Sequence, residues 1–440
     1  MSDTHSEAES LLFVRNEMMP EREPPLAESG AFKWLRENMF SGWLNILLTI
    51  LALLAIYVVL SEIVPWLWHS VWRADSLAQC REIRDATWGS DVASACFAVI
   101  ADRWQQLIFG FYPSDLYWRP LLALAIFLLA VAPVLFPGLP RALLWFSAAA
   151  PFLMFFFLWG GSIWGPILVA LGFAVGFAAY AIAGRFTGAG AALAVAVVAA
   201  LIWWLFAAGP LTRDLSRIAP IGLTYIQSKD FGGFMLSFII GISGIILSLP
   251  LGILLALGRQ SDMFIINKIS VGFIEIIRGV PLIVWLFTAS LLLNYFLPPG
   301  TNFDLMLRVI IMVTLFAAAY IAEVVRGGLA ALPRGQYEAA DALGLDYTKS
   351  MRLIILPQAL KISIPGIVNT FIGLFKDTTL VVFIGLLDPI GLSNSIRATT
   401  DWNGIYWELF VFIGLLFFIC CFSMSRYSIY LERKLQREHR

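Results

Sequence analysis

Apolar runs dominate the chain, near 44–64, 117–136, 141–159, 164–183, 190–208, 235–257, 280–297, 306–326, 362–386 and 405–425. Each approaches the roughly 20 residues that a helix needs to cross the hydrocarbon core of a bilayer. A helix satisfies its own backbone hydrogen bonds in lipid, so the pattern predicts an all-α polytopic membrane protein with about ten transmembrane helices. Eight stays open, because 141–208 is almost continuously apolar and only PGLPR parts the second run from the third. Between the runs lie polar stretches: a tail at 1–43, a loop at 65–116, a loop at 327–361 and a short tail at 431–440.

The loop around Arg334–Ala359 is too regular to be slack. Pro333 can open a helix, and Gln336 to Leu343 are good helix formers. Gly344 can end that helix in a left-handed cap, and Asp346 can cap a second one running to Leu356, where Pro357 is expected to interrupt. The prediction is a helix-turn-helix elbow at one membrane face.

Composition agrees with the pattern. The chain is 60% hydrophobic and 14% charged, against roughly 25% charged in soluble proteins. Thirty basic and 30 acidic residues cancel, so net charge gives no indication of nucleic acid as a partner. The only histidines, His5, His69 and His439, lie near or beyond span ends, which excludes a bis-histidine haem site inside the bilayer. The polar, mixed-charge start lacks the pattern of a signal peptide.

Loop charge orients the spans. Arg15, Arg22, Lys33 and Arg36 precede the first; Arg326, Arg334, Lys349, Arg352 and Lys361 flank the elbow; Arg426, Arg433, Lys434, Arg437 and Arg440 follow the last. All three regions are expected in the cytoplasm, which requires an even number of spans. The loop 65–116 then lies outside, and its Cys80 and Cys96 could pair there or stay free. Cys420 and Cys421 read as small apolar side chains within the last span.

The two halves differ in chemistry. Residues 44–208 are rich in Ala, Phe and Trp and poor in charge, with Gly172 and Gly176 as a small-xxx-small candidate for close helix contact. The second half carries Glu275, Arg278, Glu323, Arg326, Lys376 and Asp377, broken by Pro250, Pro281 and Pro365. Charge within spans faces a bundle interior or a water-filled path, so function is expected in the second half.

The elbow holds Glu338-Ala339-Ala340, three residues, Gly344, nine residues, Ile354, one residue, and Leu356-Pro357. That spacing resembles the EAA loop of binding-protein-dependent ABC importers, the helix that docks on a cytoplasmic ATPase. GGFMLSFIIGISGIILSLPLGILLALGRQS from Gly232, IEIIRGVPLIVWLF from Ile274 and AAAYIAEVVRGGL from Ala317 are similar to segments of the polar amino-acid importers of this family. GLFKDTTLVVFIG from Gly373 is similar too, with Thr379 where Ser is usual. The long extension before them resembles a permease of the bacterial general L-amino-acid importers.

The resemblance implies an extension of about five spans at 44–208 with a periplasmic loop 65–116. It also implies a type I importer permease domain at 232–430, formed by the last five spans, with coupling loop 327–361. It implies a bacterial inner-membrane permease for L-amino acids of broad specificity, with both termini cytoplasmic. The implied partners are a dimeric cytoplasmic ATPase using ATP and Mg, a second homologous permease in a heterodimer, a periplasmic binding protein and membrane lipid.

No GxxxxGK[ST] phosphate loop, HExxH or CxxC occurs, so the chain is expected to be no enzyme and to bind no cofactor or metal. Asp377, with Thr378, Thr379 and Lys376, is the candidate substrate path; the alternative is a bonded network that holds the span. Glu323 with Arg326, and Glu275 with Arg278, are i,i+3 pairs read as gate or structural elements. Pro298-Pro299-Gly300 reads as an outside turn. A rival reading is an ion-coupled secondary transporter or a channel, but neither has use for an ATPase-docking elbow.

Overall fold

A computed structural model describes residues 30–136, 138–292 and 304–437. Most of the N-terminal tail, the Pro298-Pro299-Gly300 turn and the end of run 280–297 lie outside the described residues. The chain divides into two compact units, one of residues up to Ser70 with Arg84–Ala95, the other of Val71–Ile83 with Cys96–Arg440.

In the first unit, α1 (Gly30–Asn38) precedes α2 (Trp43–Trp68), a 26-residue apolar helix with no buried residue. The outer loop carries α3 (Leu77–Thr87) and α4 (Ala98–Phe109). Five helices follow: α5 (Trp118–Leu135), α6 (Leu143–Trp159), α7 (Trp164–Ala183), α8 (Ala189–Ile202) and, after a π-turn, α9 (Ala208–Ile218). Gly176 of α7 is buried, and a Cβ there would lie 3.3 Å from the Ala196 carbonyl and from the Ala200 methyl of α8. The small-xxx-small pair therefore does mark a helix contact. Antiparallel β1 (Gly161–Ser162) and β2 (Gly222–Leu223) join the start of α7 to the connection after α9.

The second half begins with α10 (Gly233–Arg259), α11 (Phe264–Gly279) and α12 (Leu282–Phe287), which a π-turn extends through Leu292. Next come α13 (Leu305–Ala330), α14 (Arg334–Ala342) and α15 (Tyr347–Ser350). The chain closes with α16 (Leu356–Asp377), α17 (Pro389–Arg397) and α18 (Trp407–Arg437). Among the described residues eight helical stretches are long and apolar enough to span, and α11 with α12 makes a ninth bent by 102°. The run at 141–159 corresponds to α6, whose 17 residues reach only about 25 Å, short of a hydrocarbon core of about 30 Å. Gly160, at φ +71°, stops it.

Two expectations are corrected. The run at 280–297 is no straight span but the second arm of the bent pair; the first arm, α11, lies in what the pattern read as a connection. Its Lys268, Glu275 and Arg278 break the apolar run, and Gly279-Val280-Pro281 makes the corner. Pro357 does not interrupt the helix after the elbow. A π-turn at Met351–Ile355 leads straight into α16, so Pro357 falls in a first turn, where a missing N–H costs little.

The packing centre is α13 against α10. A Cβ on Gly252 would sit 2.6 Å from the Ile321 Cγ2, and one on Gly328 would sit 2.6 Å from the Ala359 carbonyl of α16. These glycines let backbones approach where any side chain would force them apart.

Candidate functional site

The elbow forms as its residues dictate. Pro333 precedes α14, and Gly344 turns at φ +70°. Leu345 N–H donates to the Ala340 carbonyl at 3.2 Å and Gly344 N–H to the Asp341 carbonyl at 2.9 Å. These two bonds satisfy carbonyls left over at the helix end, a Schellman cap. A Cβ on Gly344 would meet nothing within 4 Å, so only the backbone conformation demands glycine there. Asp346 caps α15 by accepting from the Lys349 N–H at 2.8 Å.

The motif has two faces. Ala340 and Ile355 are fully buried; Ile355 and Met351 pack with Val325, Leu329 and Leu332, and Tyr337, Ile354 and Leu356 pack against the same cluster. The Gln358 amide donates to the Gln336 side chain at 3.0 Å, tying α14 to α16. Glu338, Ala339 and Gly344 are exposed, with Leu343 at 73% and Tyr347 at 64% on either side of the turn. Ala340 points inward, while Ala339 and Leu343 stay on the exposed side. Tyr347 was not singled out from the sequence; its signal was an aromatic residue directly after the cap.

Towards the C-terminal ends of α10, α11 and α13 one carboxylate gathers three guanidinium groups. Glu323 lies 2.6 Å from Arg259, 3.0 Å from Arg326 and 3.7 Å from Arg278. Glu275 pairs with Arg259 at 3.0 Å. The expected local pair Glu323–Arg326 is present. The pair Glu275–Arg278 is not, because each of the two finds a partner on another helix. Arg259 was read only as a loop charge; its place as the last residue of α10 was the available signal.

Lys376 and Asp377 end α16 without an ion pair among the described residues; Lys376 is exposed and Asp377 half-buried. Thr378 is covered, its methyl 3.6 Å from where a Cβ of Gly241 on α10 would stand, and its hydroxyl donates to the Phe375 carbonyl at 2.7 Å. Thr379 donates to the Lys376 carbonyl at 2.9 Å. Of the four candidates, Thr378 faces packing and the others are at least partly open.

Cys80 and Cys96 are disulfide-bonded, with Cα atoms 6.0 Å apart. Both lie in an apolar cluster with Trp402, Ile405 and Leu409, which the sequence did not connect to the loop. Cys96 N–H donates to the buried Glu408 carboxylate at 2.9 Å, and the Trp402 indole to Asp102 at 2.9 Å. Nearby, Asp388 caps α17 by accepting from the Gly391 N–H at 2.8 Å. Burial pushes its carboxyl up to about 6, against the lowering effect of backbone N–H groups. No group of three or more His, Cys, Asp or Glu side chains could hold a metal among the described residues.

Comparison with known proteins gives one family and three relatives along the chain. Residues 248–437 match the family described as binding-protein-dependent transport system inner membrane component. The glutamate/glutamine/aspartate/asparagine transport system permease protein BztC of Rhodobacter capsulatus is 58% identical over 442 residues, 100% of each chain. The inner membrane amino-acid ABC transporter permease protein YhdY of Escherichia coli is 39% identical, over 94% of this chain and 96% of its own. The probable glutamine ABC transporter permease protein GlnP of Bacillus subtilis is 30% identical over 46% of this chain and 90% of its own.

Proposed function

The chain belongs to the family of binding-protein-dependent transport system inner membrane components, and from that premise we propose how its parts divide the work of transport. It is a multi-pass inner-membrane permease of an amino-acid ABC importer; ATP is hydrolysed by a partner subunit, and this chain catalyses nothing. Its substrates are L-amino acids of more than one kind, as the name of the 58% identical relative says of that protein: acidic side chains and their amides. A binding protein delivers them to the outer face, and a second, homologous permease completes the path as a heterodimer.

The elbow docks on the ATPase. One observation carries this reading: the elbow is seated by Ala340 and Ile355 while Leu343, Gly344 and Tyr347 stand exposed at its tip. An exposed Leu beside an exposed Tyr, rimmed by Glu338 and Asp341, suits a partner's apolar cleft better than water. The basic residues flanking the elbow and following α18 support a cytoplasmic position for both. Asp377, Lys376 and Thr379 line the path, and Asp377 meets the substrate's amino group.

Uptake of labelled glutamate, with glutamine, aspartate, asparagine, lysine and leucine as competitors, tests the substrate reading. Competition by the first three and not by lysine is the expected result; uptake of lysine alone sinks it. Co-purification tests the docking: Leu343→Asp is expected to lose the ATPase subunit, and full retention counts against the elbow.

A further inference from the structure

The Glu323 cluster does something that neither a gate nor a local pair describes. Its members sit on three helices: Arg259 ends α10, Arg278 stands one residue before the corner of the bent pair, and Glu323 is on α13. Glu323 touches all three arginines, and Arg259 holds Glu275 as well, so five side chains form one connected network. The side chain of Glu323 is 16% exposed, so it sits at the inner rim of the packed helices and is not freely solvated. The Asn267 amide adds a second link from α11 to α10, donating to the Arg259 carbonyl at 2.6 Å. Across the corner, the Trp285 indole of α12 donates to the Ile277 carbonyl of α11 at 3.2 Å.

The same stretch of α13 carries the elbow. Ile321, Val325, Leu329 and Leu332 belong to the apolar cluster that holds Met351 and Ile355, with Tyr337 of α14 packed against it. Glu323 lies ten residues before Pro333, about 15 Å along a helix. One side of α13 is thus fixed to the elbow and another to α10 and to the corner of α11 and α12.

We propose that Glu323 is a positioning residue: it joins α13 to α10 and α11, so that displacement of the elbow reaches the corner at Gly279-Val280-Pro281 as one rigid movement. The joint stays closed through the transport cycle, and what moves is the second arm, α12. Coupling through a packed element needs such fixed links between the parts that move together. The inference rests on the reading of the elbow as the ATPase docking site.

The test uses the complete importer in proteoliposomes, with ATPase subunit, partner permease and binding protein. Glu323→Gln is expected to leave co-purification of the ATPase and basal ATP hydrolysis unchanged, to abolish stimulation of hydrolysis by the loaded binding protein, and to lower uptake about tenfold. Arg259→Cys with Glu323→Cys, bridged by a short thiol-reactive linker, is expected to regain stimulation and uptake that the unbridged protein lacks. Wild-type uptake by Glu323→Gln overturns the proposal. So does a bridged protein that is inactive while the unbridged one works, since the cluster would then be a latch that opens. Loss of the ATPase subunit from Glu323→Gln, unrepaired by the bridge, overturns it in favour of a purely structural role. Gly344→Trp in the same assay separates the two readings: full uptake there removes the docking reading whatever Glu323 does.

Discussion

The two halves of the chain solve the membrane differently. In α8 and α9, 11% of the most apolar stretch is buried; in α13, 56% is. The first half meets lipid with Ala, Leu, Val and Phe and holds together through close approaches such as Gly176 of α7 against α8, and through indole-to-carbonyl bonds from Trp203 and Trp204 to Leu168 and Val169. The second half surrounds α13 with α10, α11 and α16 and places its charges at helix ends. In lipid, apolar surface gains nothing by leaving the bilayer for another helix, so only close packing and polar links hold helices together. A half whose helices are tied by ion pairs can pass force along itself.

That contrast can be broken most severely at the elbow. Gly344→Trp is expected to cut uptake about a hundredfold with membrane insertion intact, since the left-handed turn and the open space at the tip are both lost. Uptake assays alongside quantified membrane protein check it. Packing gives the next effect. Gly252→Leu drives a side chain into Ile321 and is expected to destabilise by about 3 kcal/mol. Gly190→Leu in α8 meets open space and is expected to change stability by no more than about 0.5 kcal/mol. Thermal unfolding in detergent compares the two; equal losses would erase the distinction between the halves.

The disulfide Cys80–Cys96 closes a loop within the 65–116 connection. Cys80→Ser with Cys96→Ser is expected to cost about 3 kcal/mol, the value for a loop of this length, and to expose 84–95 to added protease. A pH-dependent effect of similar size comes from Asp388. Its folded pKa is raised from the model-compound value to about 6, so the folded state binds the proton more tightly than the unfolded chain. Its contribution is fully present below about pH 4 and is lost as pH rises through about 6, amounting to about 3 kcal/mol. Asp388→Asn keeps the cap and is expected to flatten stability between pH 4 and 6, measured by unfolding across that range.

How much of this the sequence held depends on which interaction decides each feature. Long apolar runs are local, and among the described residues nine of the ten have a helix where it was expected, the run at 280–297 being an arm of the bent pair. The elbow was legible because Pro333, Gly344 and Asp346 act on their own neighbours. The bent pair was hidden because Lys268, Glu275 and Arg278 make α11 resemble a loop, and a helix end is written in contacts with α10 and α13. Spacing alone favoured Glu275–Arg278, yet each side chain had a nearer partner on another helix. The burial of Ala340 was not legible either, because which side of a short helix turns inward is settled by the spans beneath it. The link from Cys96 to Glu408 spans 312 residues, and nothing local announces it.

The central claim is that the second half receives force at the tip of the elbow. A photo-reactive amino acid at Leu343, in the assembled importer, measures it directly. The account predicts a cross-link to the ATPase subunit from position 343, and none when the same group replaces Leu193 on the lipid-facing side of α8. A cross-link from 193 with none from 343 would contradict it.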